Sequence, residues 1–158
     1  MAFQIIVHLL ISVMWMFLSE TYTLNSFLIG FLIGALLLTI LRRFIPGKLY
    51  LLRVYSIIKL IIIFLRELIL SNIEIVKLVY QKEPSFEPGV FAYPTELKSN
   101  WELTLLANLI TLTPGSLSVA ISEDNKTIFV HAMHVESVED EIRSIKDTFE
   151  AAIREVTK

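Results

Sequence analysis

The sequence contains no cysteine, and this absence excludes disulfide bonds, cysteine-ligated zinc and thiol nucleophiles. Its five glycines are scattered along the chain, and none opens a helix after a strand, which excludes a glycine-rich phosphate loop. Charged residues are also scarce, at 19% of the chain against about 25% in an average soluble domain. Hydrophobic residues make up 54% of the chain, and this high share indicates contact with lipid.

The charges are unevenly distributed along the 158 residues. Residues 1–41 carry one formal charge, that of Glu20, and residues 1–89 as a whole have a net charge of +3. Residues 90–158 have a net charge of −5 and an ordinary soluble composition. The chain therefore divides into a basic membrane half and an acidic soluble half. An acidic soluble half argues against nucleic-acid binding, which depends on neutralising phosphates.

Two apolar runs, Phe3–Ser19 and Asn25–Leu41, predict an antiparallel transmembrane hairpin within residues 1–48. Each run has about 17 residues, the short end of what crosses a ~30 Å hydrocarbon core. Trp15 and Tyr22 flank the turn, as interfacial aromatic residues do. Basic residues gather at the other end, so the positive-inside rule places that end and the N-terminus in the cytoplasm. They are Arg42, Arg43, Lys48 and Arg53.

Small residues recur every four positions in the second run, at Ser26, Gly30 and Gly34, and therefore share one helix face. Such a face allows a second helix to approach closely inside lipid. Packing against the first helix and packing against a partner subunit are both compatible with the pattern. In either case the three residues are candidates for helix packing and assembly.

Residues 49–82 are strongly apolar, yet their polar side chains fall on one stripe when plotted at about 100° per residue. As a third membrane span, this helix would carry charges at membrane depth at a cost of ~2.5–3.5 kcal/mol each. As an interfacial helix it keeps the stripe in water and leaves the C-terminal half cytoplasmic, and we prefer this interpretation. A tilted helix among partner subunits is a further alternative. The polar stripe contains Lys59, Arg66, Glu67, Glu74 and Lys77.

A linker at residues 83–89 precedes a small domain, residues 90–158, with the predicted order β-α-β-β-α. Ser99 and Glu102 form a capping box that starts its first helix, and Pro114 ends that helix. The following "SLSVAIS" alternates, which predicts that Leu117, Val119 and Ile121 share one face of a strand. The last helix is amphipathic, with its charges predicted on the side away from the core.

The fold class predicted from these elements is an α+β membrane protein: a two-helix transmembrane hairpin, a long amphipathic interfacial helix and a small cytoplasmic domain. Helices are expected on one face of a small sheet. About 70 residues can form such a core, although only marginally without partners.

Candidate chemistry is sparse. His131 and His134 lie three apart on a predicted strand and point to opposite faces, so we predict no metal site. His8 lies in an apolar run without an acidic partner, which favours a packed neutral ring over a proton relay. No catalytic set and no cofactor site is predicted. Two short spans with few polar groups cannot enclose an ion path, so an accessory subunit is the preferred interpretation.

The stretch "LANLITLTPGSLSV", Leu106–Val119, followed by "VHAMHV" and by the closing "FEAAIREV", resembles the E subunit of Mrp-type multisubunit sodium/proton antiporters. The resemblance covers essentially the whole chain. It implies a bacterial inner-membrane complex of several subunits that exchanges sodium for protons, with Na+ and H+ handled mainly by the partner subunits. It implies a small assembly or stabilising component without a catalytic residue of its own.

Within the signature stretch, Pro114 ends the helix and Gly115 permits the tight reversal into the next strand. Asn108 and Thr111 either satisfy buried backbone groups or contact a partner subunit. Two other functions stay open at this point. One is an autonomous membrane-anchored module that binds a cytoplasmic ligand, and the other is direct ion conduction through Lys59, Arg66, Glu67 or Glu74.

Overall fold

A computed structural model describes residues 2–43, 50–81, 87–135 and 137–157. The chain divides into two compact units, Met1–Tyr55 and Ser56–Lys158. Most of the predicted linker, and the part of the basic loop that contains Lys48, lie outside the described residues. The domain boundaries predicted from the sequence stay predictions.

The first unit is a helical hairpin. Helix α1 is Ala2–Leu18, helix α2 is Leu24–Ile40, and a 3₁₀ turn, Leu41–Arg43, follows. Thr23 caps α2, because its side-chain oxygen accepts a hydrogen bond from the Ser26 amide at 3.2 Å.

Helix α3, Tyr50–Val79, begins in the first unit and continues into the second. Among the residues that the structure describes, no helix is both long enough and apolar enough to cross a membrane. The membrane placement of the hairpin and of α3 stays a prediction.

The second unit combines helices with a three-stranded antiparallel sheet, which confirms the predicted mixed α and β architecture. The strands stand in the order β1-β3-β2, so the last strand in the chain lies at the centre. The elements after α3 are β1 (Gly89–Pro94), α4 (Asn100–Leu112), β2 (Ser116–Ile121), β3 (Thr127–Ala132), α5 (Val138–Ile145) and α6 (Ala151–Thr157).

The capping box at the start of α4 is present as predicted. The Ser99 hydroxyl accepts from the Glu102 amide, and the Glu102 carboxylate accepts from the Ser99 amide at 3.0 Å. These two hydrogen bonds satisfy backbone donors that have no partner within the helix. Four apolar side chains of α4 then turn into the core, namely Leu103, Leu106, Leu109 and Ile110.

The core lies between one face of the sheet and the helices. Phe91 and Tyr93 of β1 and Ile128 and Val130 of β3 alternate along their strands and are almost fully buried. Leu60 of α3 and residues of α4 and α6 complete this cluster. Each such side chain contributes about 1.5–3 kcal/mol when it leaves water.

Strand β2 differs from the expectation. A bulge between Ser118 and Ala120 shifts its register, so Leu117 pairs with His131 whereas Ile121 pairs with the buried Ile128. An extra residue in one strand reverses the facing of every side chain beyond it. The prediction that Leu117, Val119 and Ile121 share one face was therefore wrong.

The C-terminal helix also departs from the expectation. A π-helical turn, Lys146–Glu150, connects α5 to α6, and the junction residues keep helical backbone angles. Phe149 and Glu150 are consecutive, yet both are buried, and Glu150 is fully inaccessible to water. The prediction that all charges of this helix face away from the core was wrong at Glu150, because the inserted turn rotates that carboxylate inward.

Candidate functional site

The small-residue face of α2 lies against α1 within the same chain. A Cβ atom added to Gly30 would lie 2.8 Å from the Ser12 carbonyl oxygen, and one added to Gly34 would lie 2.5 Å from His8 Cδ2. Ser26 is buried at the same face and receives a 2.8 Å hydrogen bond from Thr21. Of the two partners that the sequence left open for this face, the structure therefore brings α1 to it.

His8 is the buried centre of this contact. Its Nε2 donates to the Phe31 carbonyl oxygen at 2.7 Å, so in the neutral ring Nδ1 accepts from the Tyr50 hydroxyl, which lies within hydrogen-bonding distance. The side-chain oxygen of Gln4 accepts from the Tyr50 amide at 2.8 Å. Helix α1 thus binds both α2 and the first residue of α3, and the His8 ring makes a hydrogen bond to each of them.

A signal for this contact is present in the sequence, although the spacing in α2 alone does not show it. Gln4, His8 and Ser12 recur every four residues in α1, as the small residues do in α2, and all three are buried. Two rows with a four-residue spacing are the ridges that pack in a close helix pair. We call these two rows the hairpin seam: Gln4, His8 and Ser12 in α1 with Ser26, Gly30 and Gly34 in α2.

The predicted polar stripe of α3 is divided between two kinds of contact. Lys59 donates to both carboxylate oxygens of Glu155 in α6 at 2.7 Å, and Arg66 donates to its neighbour Glu67 at 2.7 Å. Both pairs are partly exposed, and exposed pairs contribute about 0–1 kcal/mol. The Lys59–Glu155 pair joins α3 to α6, whereas the Arg66–Glu67 pair lies within α3. Glu74 and Lys77 lie further along the same helix.

The α4–β2 corner contains the four signature residues singled out from the sequence. Gly115 has φ +92°, a backbone conformation that side chains rarely permit, and a Cβ added there would lie 2.9 Å from Ile75 Cδ1 of α3. Thr111 is exposed, and its hydroxyl accepts from the Ser118 amide at 3.2 Å, which ties α4 to β2. Asn108 is exposed on α4, and Pro114 is half-buried beside Gly115.

A buried carboxylate network that the sequence did not predict joins the π-helical turn to β1. Glu150 Oε2 accepts from the Tyr93 hydroxyl at 2.6 Å and from Thr95 at 3.0 Å. Its Oε1 accepts from Arg154 Nη2 at 2.5 Å and from the Glu96 amide at 3.3 Å. Arg154 Nη2 also donates to the Glu96 carboxylate at 2.7 Å. Four donors therefore converge on one carboxylate.

These contacts decide the charge state of the network. Burial raises the pKa of Glu150, but the hydrogen bonds from Tyr93, Arg154, Thr95 and the Glu96 amide outweigh it, so the net pKa is lowered. Burial and the adjacent Glu150 raise the pKa of the Tyr93 hydroxyl far above its usual range. At neutral pH, Glu150 is thus an ionised acceptor and Tyr93 a neutral donor. The signal in the sequence was the pair Glu150 and Arg154, four residues apart beside an apolar row.

The histidines of the domain do not form a ligand pair. His131 lies on β3 opposite Val90 and Leu117, whereas His134 follows the strand and its Nδ1 accepts from the Glu87 amide at 3.4 Å. His134 therefore does not belong to the strand on which the sequence placed it. Within residues 2–43, 50–81, 87–135 and 137–157, no group of three or more potential ligands could hold a metal ion.

The chain matches known proteins over nearly its whole length. The sequence model of the Na+/H+ ion antiporter subunit family matches residues 8–156. The chain is 51% identical to the E subunit of the Na+/H+ antiporter of Alkalihalophilus pseudofirmus over the full length of both proteins. It is 45% identical to the E1 subunit of the Na+/H+ antiporter of Staphylococcus epidermidis, with 99% of this chain and 98% of the relative covered.

Two solved structures are similar as well. A chain of the membrane-bound sulfane sulfur reductase, an archaeal respiratory membrane complex, matches with a TM-score of 0.59 and 25% identity, and 96% of each chain is covered. A chain of the Mrp complex from a Dietzia species matches with a TM-score of 0.48 and 27% identity, over 62% of this chain and 93% of that chain.

Proposed function

Because the chain belongs to the E-subunit family of multisubunit Na+/H+ antiporters, we propose that it acts by holding neighbouring subunits together and not by moving ions itself. It is an accessory subunit of a Na+/H+ antiporter complex, and its partners are the other antiporter subunits. It is a transporter subunit and not an enzyme. The full-length match at 51% identity is the observation that carries this conclusion.

The internal contacts support a structural role. His8 is committed to Phe31 and Tyr50, and Glu150 is surrounded by four donors. Neither group is left available to bind or release an ion during exchange. We therefore propose that this chain lacks catalytic residues and that Na+ and H+ pass through its partners.

The hairpin, in this proposal, lies in the bilayer. Helices α1 and α2 have 17 residues each, about 25 Å at 1.5 Å per residue, which is close to the ~30 Å hydrocarbon core. Their outward side chains are large, apolar and exposed, for example Phe3, Leu10 and Leu32. The polar groups of the hairpin seam face inward instead. In this arrangement α3 lies at the interface, and the second unit is cytoplasmic.

Labelling a single cysteine tests this topology. The chain contains no cysteine, so Lys126→Cys in the exposed β2–β3 turn provides one unique thiol. In intact cells we expect no reaction with a membrane-impermeant maleimide, and full reaction after the membrane is opened. Glu20→Cys, in the α1–α2 turn, is the matched control and should react in intact cells. Labelling of Lys126→Cys from outside would contradict the cytoplasmic placement.

Co-purification tests the accessory role. An affinity-tagged chain, expressed with all subunits of its antiporter and extracted in mild detergent, is expected to bring the other subunits with it in fixed proportions. Deleting the chain should lower sodium-dependent antiport in everted vesicles, because the remaining complex is destabilised. The amount of the other subunits in the same membranes should fall in parallel. A tagged chain that emerges alone, with antiport unchanged by the deletion, would overturn the proposal.

A further inference from the structure

A groove of about 580 Å³ lies on the second unit, beside the α4–β2 corner. The second half of α3, the corner with Pro114 and Gly115, and helix α5 form its walls. Buried and half-buried apolar side chains form its floor, among them Ile75, Leu78 and Ile110. The signature stretch of the family therefore shapes one wall of an open groove, a role that the sequence alone did not suggest.

The rim of this groove is strongly acidic. Four carboxylates line it, against one lysine, Lys77. Glu67 is already paired with Arg66, whereas Glu74 of α3 and Asp140 of α5 lie near enough to Glu141 for their charges to act on it. We call this feature the acidic groove, and its four carboxylates are Glu67, Glu74, Asp140 and Glu141.

The like charges in the acidic groove disfavour one another. Burial raises the pKa of Glu141, and the negative charges of Glu74 and Asp140 raise it further, whereas His134 lowers it. Glu141 is a half-buried carboxylate beside two others. A cationic group that binds next to it has a more favourable Coulomb energy there than it would have with an isolated carboxylate in water. Among the described residues, the groove therefore presents an apolar floor and a rim with four carboxylates and one lysine, which is complementary to a segment of the opposite charge.

We propose that the acidic groove binds a basic segment of another antiporter subunit, with apolar side chains on the floor and a Lys or Arg between Glu74 and Glu141. This inference rests on the proposed accessory function and adds the surface through which it operates. Charge complementarity selects the occupant, because anionic lipid headgroups and phosphate compounds would be repelled by the same carboxylates. A metal ion is disfavoured, because the residues that the structure describes include no group of three or more His, Cys, Asp or Glu side chains that could hold one.

A site-specific crosslink in the assembled complex tests this proposal. Ser144 lines the groove and is exposed, so it can be replaced by p-benzoylphenylalanine in the full-length chain. Illumination of the complex in membranes should give an adduct, and mass spectrometry should locate it on a Lys- or Arg-containing segment of a partner subunit. The same probe at Glu123, in the exposed β2–β3 turn, serves as the position control.

Charge neutralisation then tests the chemistry. The double substitution Glu74→Gln with Glu141→Gln should lower the adduct yield at Ser144 about tenfold, because it removes the two carboxylates that attract the basic side chain of the partner segment. Glu123→Gln with Asp147→Asn removes two exposed carboxylates elsewhere and should leave the yield unchanged. Because the groove substitutions relieve like-charge contacts, the variant chain is expected to fold, and its far-UV circular dichroism should match that of the wild type.

The outcomes separate this inference from the accessory function itself. If the tagged chain brings its partners but Ser144 gives no partner adduct, the groove proposal fails and the accessory function stands. An adduct to lipid or to a second copy of this chain, or one that survives neutralisation, also overturns the proposal. If no partner co-purifies, the accessory function fails first.

Discussion

Replacing Glu150 with alanine is expected to lower the free energy of unfolding of the second unit by about 3–5 kcal/mol, because several hydrogen-bond donors lose a buried acceptor. The carboxylate accepts from Tyr93, Thr95, Arg154 and the Glu96 amide, and it is fully buried. Its removal leaves the buried Tyr93 phenol, the buried Thr95 hydroxyl and the partly buried Glu96 amide without this acceptor, and each such loss costs about 1–3 kcal/mol.

A single tryptophan can report this unfolding in the full-length chain. The sequence has two tryptophans, and Trp15→Phe leaves Trp101, at the start of α4, as the only one. Urea titration of its fluorescence in mild detergent gives the free energy difference between variants. Asp147→Ala removes an exposed carboxylate from the same π-helical turn and should change stability by less than about 0.5 kcal/mol. Equal effects of the two substitutions would contradict the assigned role of Glu150.

The pH dependence provides a second measurement on the same variant. The folded-state pKa of Glu150 is lowered, so its contribution to stability is complete above the unfolded value of about 4.3 and is lost as the pH falls through the folded value. The stability difference between the wild type and Glu150→Ala should therefore be constant near neutrality and shrink in acid. A stability difference that is the same in acid as near neutrality would assign the effect to packing and not to charge.

The parts of the fold that could be predicted are those set by neighbouring residues. Ser99 and Glu102 cap α4 as the sequence indicated, because a capping box needs only atoms within one helical turn. Gly115 adopts the positive φ that a reversal after Pro114 requires. The mixed order of strands and helices followed from the same local periodicities.

The parts that could not be predicted depend on single residues inserted into a helix or a strand, which shift the side-chain periodicity beyond them. The π-helical turn and the bulge at Val119 each add a residue to a regular element, and regular periodicity carries no sign of them. They decide that Glu150 is buried and that Leu117 and Ile121 point to opposite faces. Pairing of Glu150 with Tyr93 also spans 57 residues of sequence, beyond the reach of any local pattern.

Replacing Gly30 with leucine is expected to weaken the α1–α2 contact by about 3 kcal/mol, the upper part of the usual range for overpacking. A Cβ at this position would lie 2.8 Å from the Ser12 carbonyl oxygen and 2.8 Å from Trp15 Cβ. The first of these is a backbone atom, which cannot move aside as a flexible side chain does. The two helices must therefore separate, and His8 should lose its contact with Phe31.

Trp15 itself reports this separation. With Trp101→Phe, Trp15 is the sole tryptophan, and titration with SDS in mixed micelles follows the opening of the hairpin through its emission. Thr39→Leu places the same leucine side chain at an exposed position of α2 and is the control, with an expected change below about 0.5 kcal/mol. The same Gly30→Leu chain should recover fewer antiporter subunits in the co-purification. Unchanged SDS midpoints for both variants would exclude the close approach of α1 and α2.

The π-helical turn has a consequence for how this protein tolerates changes in length. Deleting one residue from Lys146–Glu150 would convert the turn to an ordinary α-helix and rotate everything beyond it by about 100°. Ile153 and Val156 would leave the core while the secondary structure stayed helical. The length of this turn, including its one added residue, therefore decides which side chains of α6 face the core. A homologue that lacks this residue would need a new apolar row, displaced by one position, to close the same domain.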